Sequence, residues 1–207
     1  VTVISDLATT TRGGLEIALQ PFSSSDVDRV YELCQDPEIQ WWTTVPTPYT
    51  FHDAEGFVGD YVLPAWNEVA EGTYSSLREG PELVWSVHIN GESSLAGLWG
   101  SIGYKRLGDG ELEIGWWLGA GARGHGIMRA AVATLIVLAF NPVFPLQARR
   151  VWWHAMVGNL PSAWIAQRTG FAYQGIEEHH GAGRCWSAMI CPDDPIEPRD
   201  DWPELPL

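Results

Sequence analysis

The sequence predicts an α/β domain built on a mixed sheet. Two observations carry this expectation. Segments of alternating apolar and polar residues are interleaved with segments of helical period, and 207 residues suit one well-buried core while being marginal for two. Apolar residues make up 45% of the chain and charged residues 18%, a globular balance.

The elements follow in order. LEIALQPF (15–22) alternates and reads as a first strand. SSSDVDRVYELCQ follows as a helix, with Ser or Asp available as N-cap and Val27, Val30, Tyr31 and Cys34 at helical spacing. DPEIQWWTTVPTPYT reads as a proline-punctuated loop carrying Trp41 and Trp42. HDAEGFVGDYVLPAWNEVAEG predicts a second helix, strained at Pro64. LVWSVHING (83–91) is a strand closed by an Asn-Gly turn signal, and LAGLWGSIGYKRLGDGELEIGWWLG gives two more strands around Gly-Asp-Gly. A helix is expected from Ala122 to Phe140, then a strand (ARRVWWHAMV), a short helix (LPSAWIAQRTG) and a closing hairpin (FAYQGIEE with RCWSAMI). This makes about seven strands and about four helices. No internal repeat is visible. Residues 1–191 are read as one domain and 192–207 as a tail, whose five Pro and six acids among sixteen residues predict extended chain packed on the surface.

Composition narrows the function. The net charge is −14, which argues against nucleic acid, whose affinity rests largely on phosphate neutralisation. The longest largely apolar stretch, Ala130 to Phe140, is too short to cross a bilayer, and the N-terminus lacks the build of a signal peptide. Three cysteines at unrelated spacing suggest neither a disulfide framework nor a zinc site, so a reducing cytoplasm is expected, with no membrane partner. Between Ile114 and Ile176 there is no acid, while five arginines give that segment +5 and leave −19 elsewhere. Such a segment suits an anionic ligand, or is a buried stretch that simply lacks acids. Twelve Trp point to a Trp-lined cavity, an aromatic core, or both.

LGAGARGHGIMR (118–129) can be read in two frames. Gly119, Gly121 and Gly124 spell the dinucleotide fingerprint, which also requires an acidic residue about 20 positions on to hold the ribose. That region is acid-free, and the loop lies past mid-chain after strands read as antiparallel. Gly121, Gly124 and Gly126 spell G-x-x-G-x-G and open an apolar helix. Backbone without side chains at Gly124 and Gly126 lets successive N–H groups reach a pyrophosphate at a helix N-terminus, where the dipole contributes roughly 0.3–2 kcal/mol per interaction. A tight turn into a helix explains the same glycines without a ligand.

ELEIGWWLGAGARGHGIM resembles the acyl-CoA motif of the GNAT superfamily, and its RimJ/RimL-like branch in particular. LEIALQPFSSSDVDRVYELCQDPEIQWW is similar to that branch's first strand and helix with its D-P-E turn. VGNLPSAWIAQRTGF is similar to its Asn-x-x-Ser helix ending in Gly-Phe. The resemblance implies the GNAT fold, a mostly antiparallel sheet splayed at the acyl-CoA site. It also implies transfer of an acetyl or other acyl group from acyl-CoA to a primary amine, on a small cationic molecule or a protein N-terminus. A homodimer is left open, as is a CoA-binding module without catalysis. Two positions depart from the family: Gly121 stands where many members have Gln or Arg, and Ala166 where many place a Tyr that protonates the leaving thiolate.

Acyl transfer to an amine needs a base, because an ammonium of pKa about 10.4 is neutral in only about one part in 10³ at pH 7, a penalty of roughly 4–5 kcal/mol. The resemblance points to Glu113 as base, Glu111 and Glu113 being otherwise readable as solvated strand residues. It points to Ser162 as thiolate proton donor, a residue that also suits a helix start. Trp116, Trp117, Leu118, Ala122, Arg123, Gly124, His125, Gly126, Ile127, Met128, Asn159 and Trp164 are implied to bind acyl-CoA, with Asn159 alternatively a turn residue. Backbone near Trp117 and Leu118 would polarise the thioester carbonyl. Trp41, Trp42, Glu178, His179 and His180 are substrate-side candidates, and packing is an equal reading of the two Trp. His52, His88 and His154 read as structural, and no metal is expected because no metal-ligand spacing appears.

Overall fold

The computed structural model describes residues 5–74, 82–91, 94–142, 144, 148–179 and 181–205. One sheet of eight strands runs through it in the order β1-β2-β3-β4-β5-β6-β8-β7. The strands are β1 (Leu7–Thr10), β2 (Glu16–Pro21), β3 (Leu83–Ile89), β4 (Gly97–Gly108), β5 (Glu111–Leu118), β6 (Arg150–Met156), β7 (Ala172–His179) and β8 (Gly183–Ile190). Every neighbouring pair is antiparallel except β5 and β6. This is the mixed, mostly antiparallel sheet expected, with one strand more. The extra strand is β1, a four-residue edge whose short pattern carries no usable period, paired to β2 through a turn closed by Gly14.

Among the described residues six α-helices flank the sheet: α1 (Val27–Leu33), α2 (Pro37–Trp42), α3 (Phe51–Glu55), α4 (Leu63–Glu71), α5 (Ile127–Ala139) and α6 (Leu160–Arg168). The expected loop at DPEIQWW is helix α2. Asp36 caps it by accepting from the Glu38 N–H at 2.9 Å, and Pro37 takes the first helical position, where its missing N–H costs nothing. Helices α3 and α4 run into each other through a π-helical stretch, Gly56–Val62. The wide turns come just before Pro64, which cannot donate into an α-helical ladder, so the strain expected there is absorbed as a change of helical type. Helix α5 starts at Ile127, five residues later than expected. Gly124 and Gly126 are left-handed (φ 81° and 76°), which a helix cannot contain.

The largest fully buried side chains are Trp85, Trp153, Trp186, Tyr104 and the phenylalanines Phe144 and Phe171. Trp66, Trp85, Tyr104 and Phe144 form a continuous chain of ring contacts. The tryptophans therefore serve both core and cavity. The described tail residues hold no helix or strand. Trp202 packs against Trp153 and Tyr173 and donates to the Phe171 carbonyl at 2.7 Å. Left-handed Gly170 (φ 94°) lies so close to the Pro195 carbonyl that a Cβ would collide with it.

Candidate active site

Strands β5 and β6 pair only at Glu111–Arg150, Leu112–Val151 and Glu113–Trp152. Beyond Glu113 the two strands part: β5 keeps its ladder to β4, and β6 keeps its ladder to β8. In an antiparallel ladder alternate residues turn their N–H and C=O away from the partner strand. The far end of β5 thus offers unpaired backbone groups to the gap. A cavity of about 1150 Å³ occupies it, reaching from Gly124 and Gly126 at one end to Glu113 and Lys105 at the other. Gly115 on β5 has nothing within 4 Å of where a Cβ would stand, so the strand backbone is open to the cavity there.

The loop at the mouth is built by its glycines and pinned by an arginine. Gly124 and Gly126 hold the left-handed conformation that only glycine adopts at little cost. The Arg123 side chain is held on the loop by three contacts. It donates to the Leu118 carbonyl at 3.0 Å and pairs with Asp36 at 2.6 Å, with Glu38 at 3.8 Å. These bonds fasten the loop to α2, and Arg123 also lines the cavity. Arg129 and Arg168 line the same end of the cavity. Burial, then the charges of Arg12 and Arg168, hold Arg129 below the ordinary arginine pKa, which marks a local excess of positive charge.

Helix α6 presents Ser162 to the cavity. Asn159 is its N-cap and accepts the Ser162 N–H at 3.3 Å, so the capping reading belongs to Asn159. The Ser162 hydroxyl accepts the buried Trp153 indole N–H at 3.1 Å, which leaves its own proton available to the cavity. Trp153 in turn stacks on Trp116 across the gap, at 6.5 Å between centroids. Ala166 is wholly buried and is not among the residues that line the cavity.

At the opposite end Glu113 sits on β5 beside two histidines. His154 Nδ1 and His179 Nε2 each lie 2.9 Å from its Oε1, and His154 Nε2 lies 2.7 Å from Glu177 Oε1. The Glu113 and His154 side chains are only 13% and 9% exposed. Burial pushes the Glu113 carboxyl up, but hydrogen bonds and charge from His154 and His179 outweigh it and hold the group below its ordinary value. Burial pushes His154 down, and Glu113 and Glu177 together hold it above its ordinary value. One ligand atom from each of Glu113, His154 and His179 falls within 4.8 Å of the others, a spacing that fits one metal ion. The sequence hid this group because its members stand 41 and 25 positions apart on three strands.

The family model described as "Acetyltransferase (GNAT) domain" matches residues 16–172. The chain belongs to the GNAT acetyltransferase family. It is an acyl-CoA-dependent N-acyltransferase. Among solved structures, the fold resembles RimL, the ribosomal L7/L12 alpha-N-protein acetyltransferase in complex with coenzyme A. Identity is 16% over 88% of this chain and 95% of that one, with a TM-score of 0.67. It also resembles Mycobacterium smegmatis RimJ in complex with CoA-disulfide (18%, covering 91% and 87%, TM-score 0.64). AAC(6')-Ib in complex with ribostamycin and coenzyme A shares it too (17%, covering 85% and 93%, TM-score 0.65). No curated protein sequence matches the chain.

In this GNAT fold the cavity is lined by Glu113, Ser162, Trp116, Trp117, Leu118, Ala122, Arg123, Gly124, Gly126, Ile127, Met128, Asn159, Trp164, Trp42 and His179. Three candidates lie outside its lining. His125 is exposed at the tip of the loop. Trp41 is 72% exposed and lines a separate shallow groove with Trp42. Glu178 is exposed because strand alternation sends Glu177 and His179 to one face and Glu178 to the other. His180 lies outside the described residues. Glu111 is bound by Arg150 and Trp152 at 2.8 Å each, and is therefore not a solvated strand residue. Residues the sequence did not single out are Lys105, in register with Glu113 across β4 and β5, and Glu82, which hydrogen-bonds Tyr61 and is raised in pKa by burial. Only the β4–β5 register reveals Lys105. Burial pushes the Cys34 thiol up to about 12 and the Cys185 thiol up to about 11, so neither is a ready thiolate nucleophile near neutrality. Among the described residues no helix is long and apolar enough to cross a membrane.

Proposed function

We propose that this chain is a RimJ/RimL-like cytoplasmic enzyme. It transfers an acetyl group from acetyl-CoA to the primary amine of a small cationic molecule or a protein N-terminus, by direct attack. The observation that carries this reading is the polarity of the gap between β5 and β6. At one end stand the left-handed glycines, the N-terminus of α5 and the cations Arg129 and Arg168; at the other stand the carboxyls of Glu113 and Glu82, with Lys105 beside them. A polyphosphate suits the first end, through backbone donors and helix dipole. A cationic amine suits the second.

Glu113 takes the proton from the attacking amine, and unpaired backbone near Trp117 and Leu118 polarises the thioester carbonyl. The amine nitrogen bonds to the carbonyl carbon, the carbon–sulfur bond breaks, and Ser162 protonates the departing thiolate. RimL, an alpha-N-protein acetyltransferase, supports a protein N-terminus as acceptor, and AAC(6')-Ib, solved with ribostamycin, supports a small-molecule one. The test is thiol release from acetyl-CoA across a panel of amines and N-terminal peptides. Turnover that favours cationic acceptors, and falls with salt, is the expected result. Tight CoA binding without turnover on any amine would overturn the reading.

A further inference from the structure

We propose that Glu113, His154 and His179 form a binding site for a divalent transition ion of the zinc class, and that an ion held there blocks acetyl transfer. The binding stands on geometry alone. The blockade rests on the reading of Glu113 as base.

Two imidazoles and one carboxylate are a zinc-type donor set, whereas magnesium and calcium favour all-oxygen sites. The three residues project from β5, β6 and β7, three strands of one sheet, so their backbone positions are fixed before any ion arrives. Both histidine nitrogens already lie 2.9 Å from Glu113 Oε1. Bonds of about 2.0–2.2 Å to a tetrahedral ion require donor atoms somewhat over 3 Å apart, so each histidine need move only a few tenths of an ångström from Glu113, and all three ligand atoms already lie within 4.8 Å of one another. Two polar atoms in the group, Glu113 Oε2 and His179 Nδ1, are buried without a hydrogen-bond partner.

His154 carries the outer support such sites use. Its Nε2 points at Glu177 Oε1 at 2.7 Å, and a carboxylate there fixes the tautomer that leaves Nδ1 free to coordinate. Glu113, His154 and His179 all line the cavity, so the fourth coordination position opens onto it. Lys105 faces Glu113 in register and lines the same cavity, and its charge opposes the ion. An ion bound to Glu113 takes the lone pair that the amine proton needs.

The test uses the full chain, cleared of metal by a chelator, titrated with Co²⁺ by visible absorption and with Zn²⁺ by calorimetry. One ion per chain is expected, with the absorption of a four-coordinate Co²⁺ site that Zn²⁺ displaces. Affinity should fall more than tenfold in His154→Ala and in His179→Ala. It should fall roughly 10–100-fold in Glu177→Gln, and it should rise in Lys105→Met. Absence of stoichiometric binding, or full affinity in both histidine variants with native circular dichroism, overturns the site. Stoichiometric Zn²⁺ should also stop acetyl transfer, and chelator should restore it. Stoichiometric binding with undiminished transfer overturns the blockade. Absence of metal binding to the parent chain, together with loss of transfer in Glu113→Gln, overturns the site alone and leaves the base reading standing.

Discussion

Arg123 Nη2 stands 2.6 Å from Asp36 Oδ2, joining the glycine loop before α5 to the residue that caps α2, 87 positions earlier. The Asp36 side chain is 14% exposed and the Arg123 side chain 35%. The bond is thus mostly shielded from water, and it holds the loop in the shape that its left-handed glycines permit.

Removing that bond should loosen the loop without touching the chemistry. Hydrogen bonds to charged groups contribute about 1.5–3 kcal/mol, the partial exposure of Arg123 favours the lower figure, and Asp36→Ala adds about 0.5–2 kcal/mol by removing the α2 cap. Asp36→Ala is expected to lower thermal stability and to raise the KM for acetyl-CoA severalfold with little change in kcat. Thermal unfolding and steady-state kinetics check both, and an unchanged KM would separate the loop from cofactor binding.

Gly124 makes a different demand. Nothing lies within 4 Å of where its Cβ would stand, so space is available and the obstacle to substitution is its φ of +81°. An L-residue held there costs roughly 1–2 kcal/mol, and a β-branched one more. Gly124→Val should keep the fold, lose at least tenfold in CoA affinity by calorimetry, and melt earlier. NAD and NADP should raise the melting temperature of neither variant nor parent.

Glu113→Gln keeps size and hydrogen bonding but cannot accept the amine proton. Loss of general-base help typically costs about 10²–10⁴ in rate. The deficit should shrink as pH rises towards the amine pKa, because more acceptor arrives neutral. CoA affinity should hold, since Glu113 lies at the other end of the cavity from the glycine loop. Parental activity at every pH in a pH–rate profile would remove Glu113 from the mechanism.

Ser162 has two roles that one variant can separate. Ser162→Ala leaves the Trp153 N–H buried without an acceptor, which costs about 1–3 kcal/mol whatever the chemistry does. Stability should fall by that amount in chemical denaturation. If Ser162 also protonates the thiolate, kcat drops as well, and the drop should be smaller with acyl donors whose thiols are more acidic.

His88 on β3 gives a pH signature away from the site. Burial holds its pKa below the ordinary histidine value, although the charge of Asp26 works the other way, and its Nε2 lies 3.1 Å from Ser86 Oγ. The native state therefore favours neutral imidazole. Above the unfolded pKa, about 6.5, both states are neutral and the contribution is intact. As pH falls below it, the unfolded chain binds the proton first and stability is lost until the lower folded pKa is passed. His88→Gln should flatten the stability profile in this window, as read by denaturant titrations at successive pH values.

The fold was legible because its signals are local. The alternation in LEIALQPF, the apolar stretch of α5 and the glycines before it each follow from a few adjacent residues, and each lies where the sequence predicted. The glycine loop could be placed against a cavity for the same reason. Where neighbouring signals competed, local reading failed. Pro37 suggested a loop and instead starts α2, and the glycines delayed the start of α5.

Contacts between distant strands were not legible, because a strand's period tells which residues share a face but not what lies across from them. Glu113 could be named from the sequence, but His154 read as structural, and Glu177 and Lys105 went unnoticed. Register places Lys105 beside Glu113, sheet order brings β6 and β7 to it, and alternation chooses Glu177 over Glu178. The sequence by itself determined the type of fold and the glycine loop, both matters of backbone preference. The tertiary structure decided what surrounds Glu113 and where Arg123 points, since those depend on side chains that meet only after the sheet has closed.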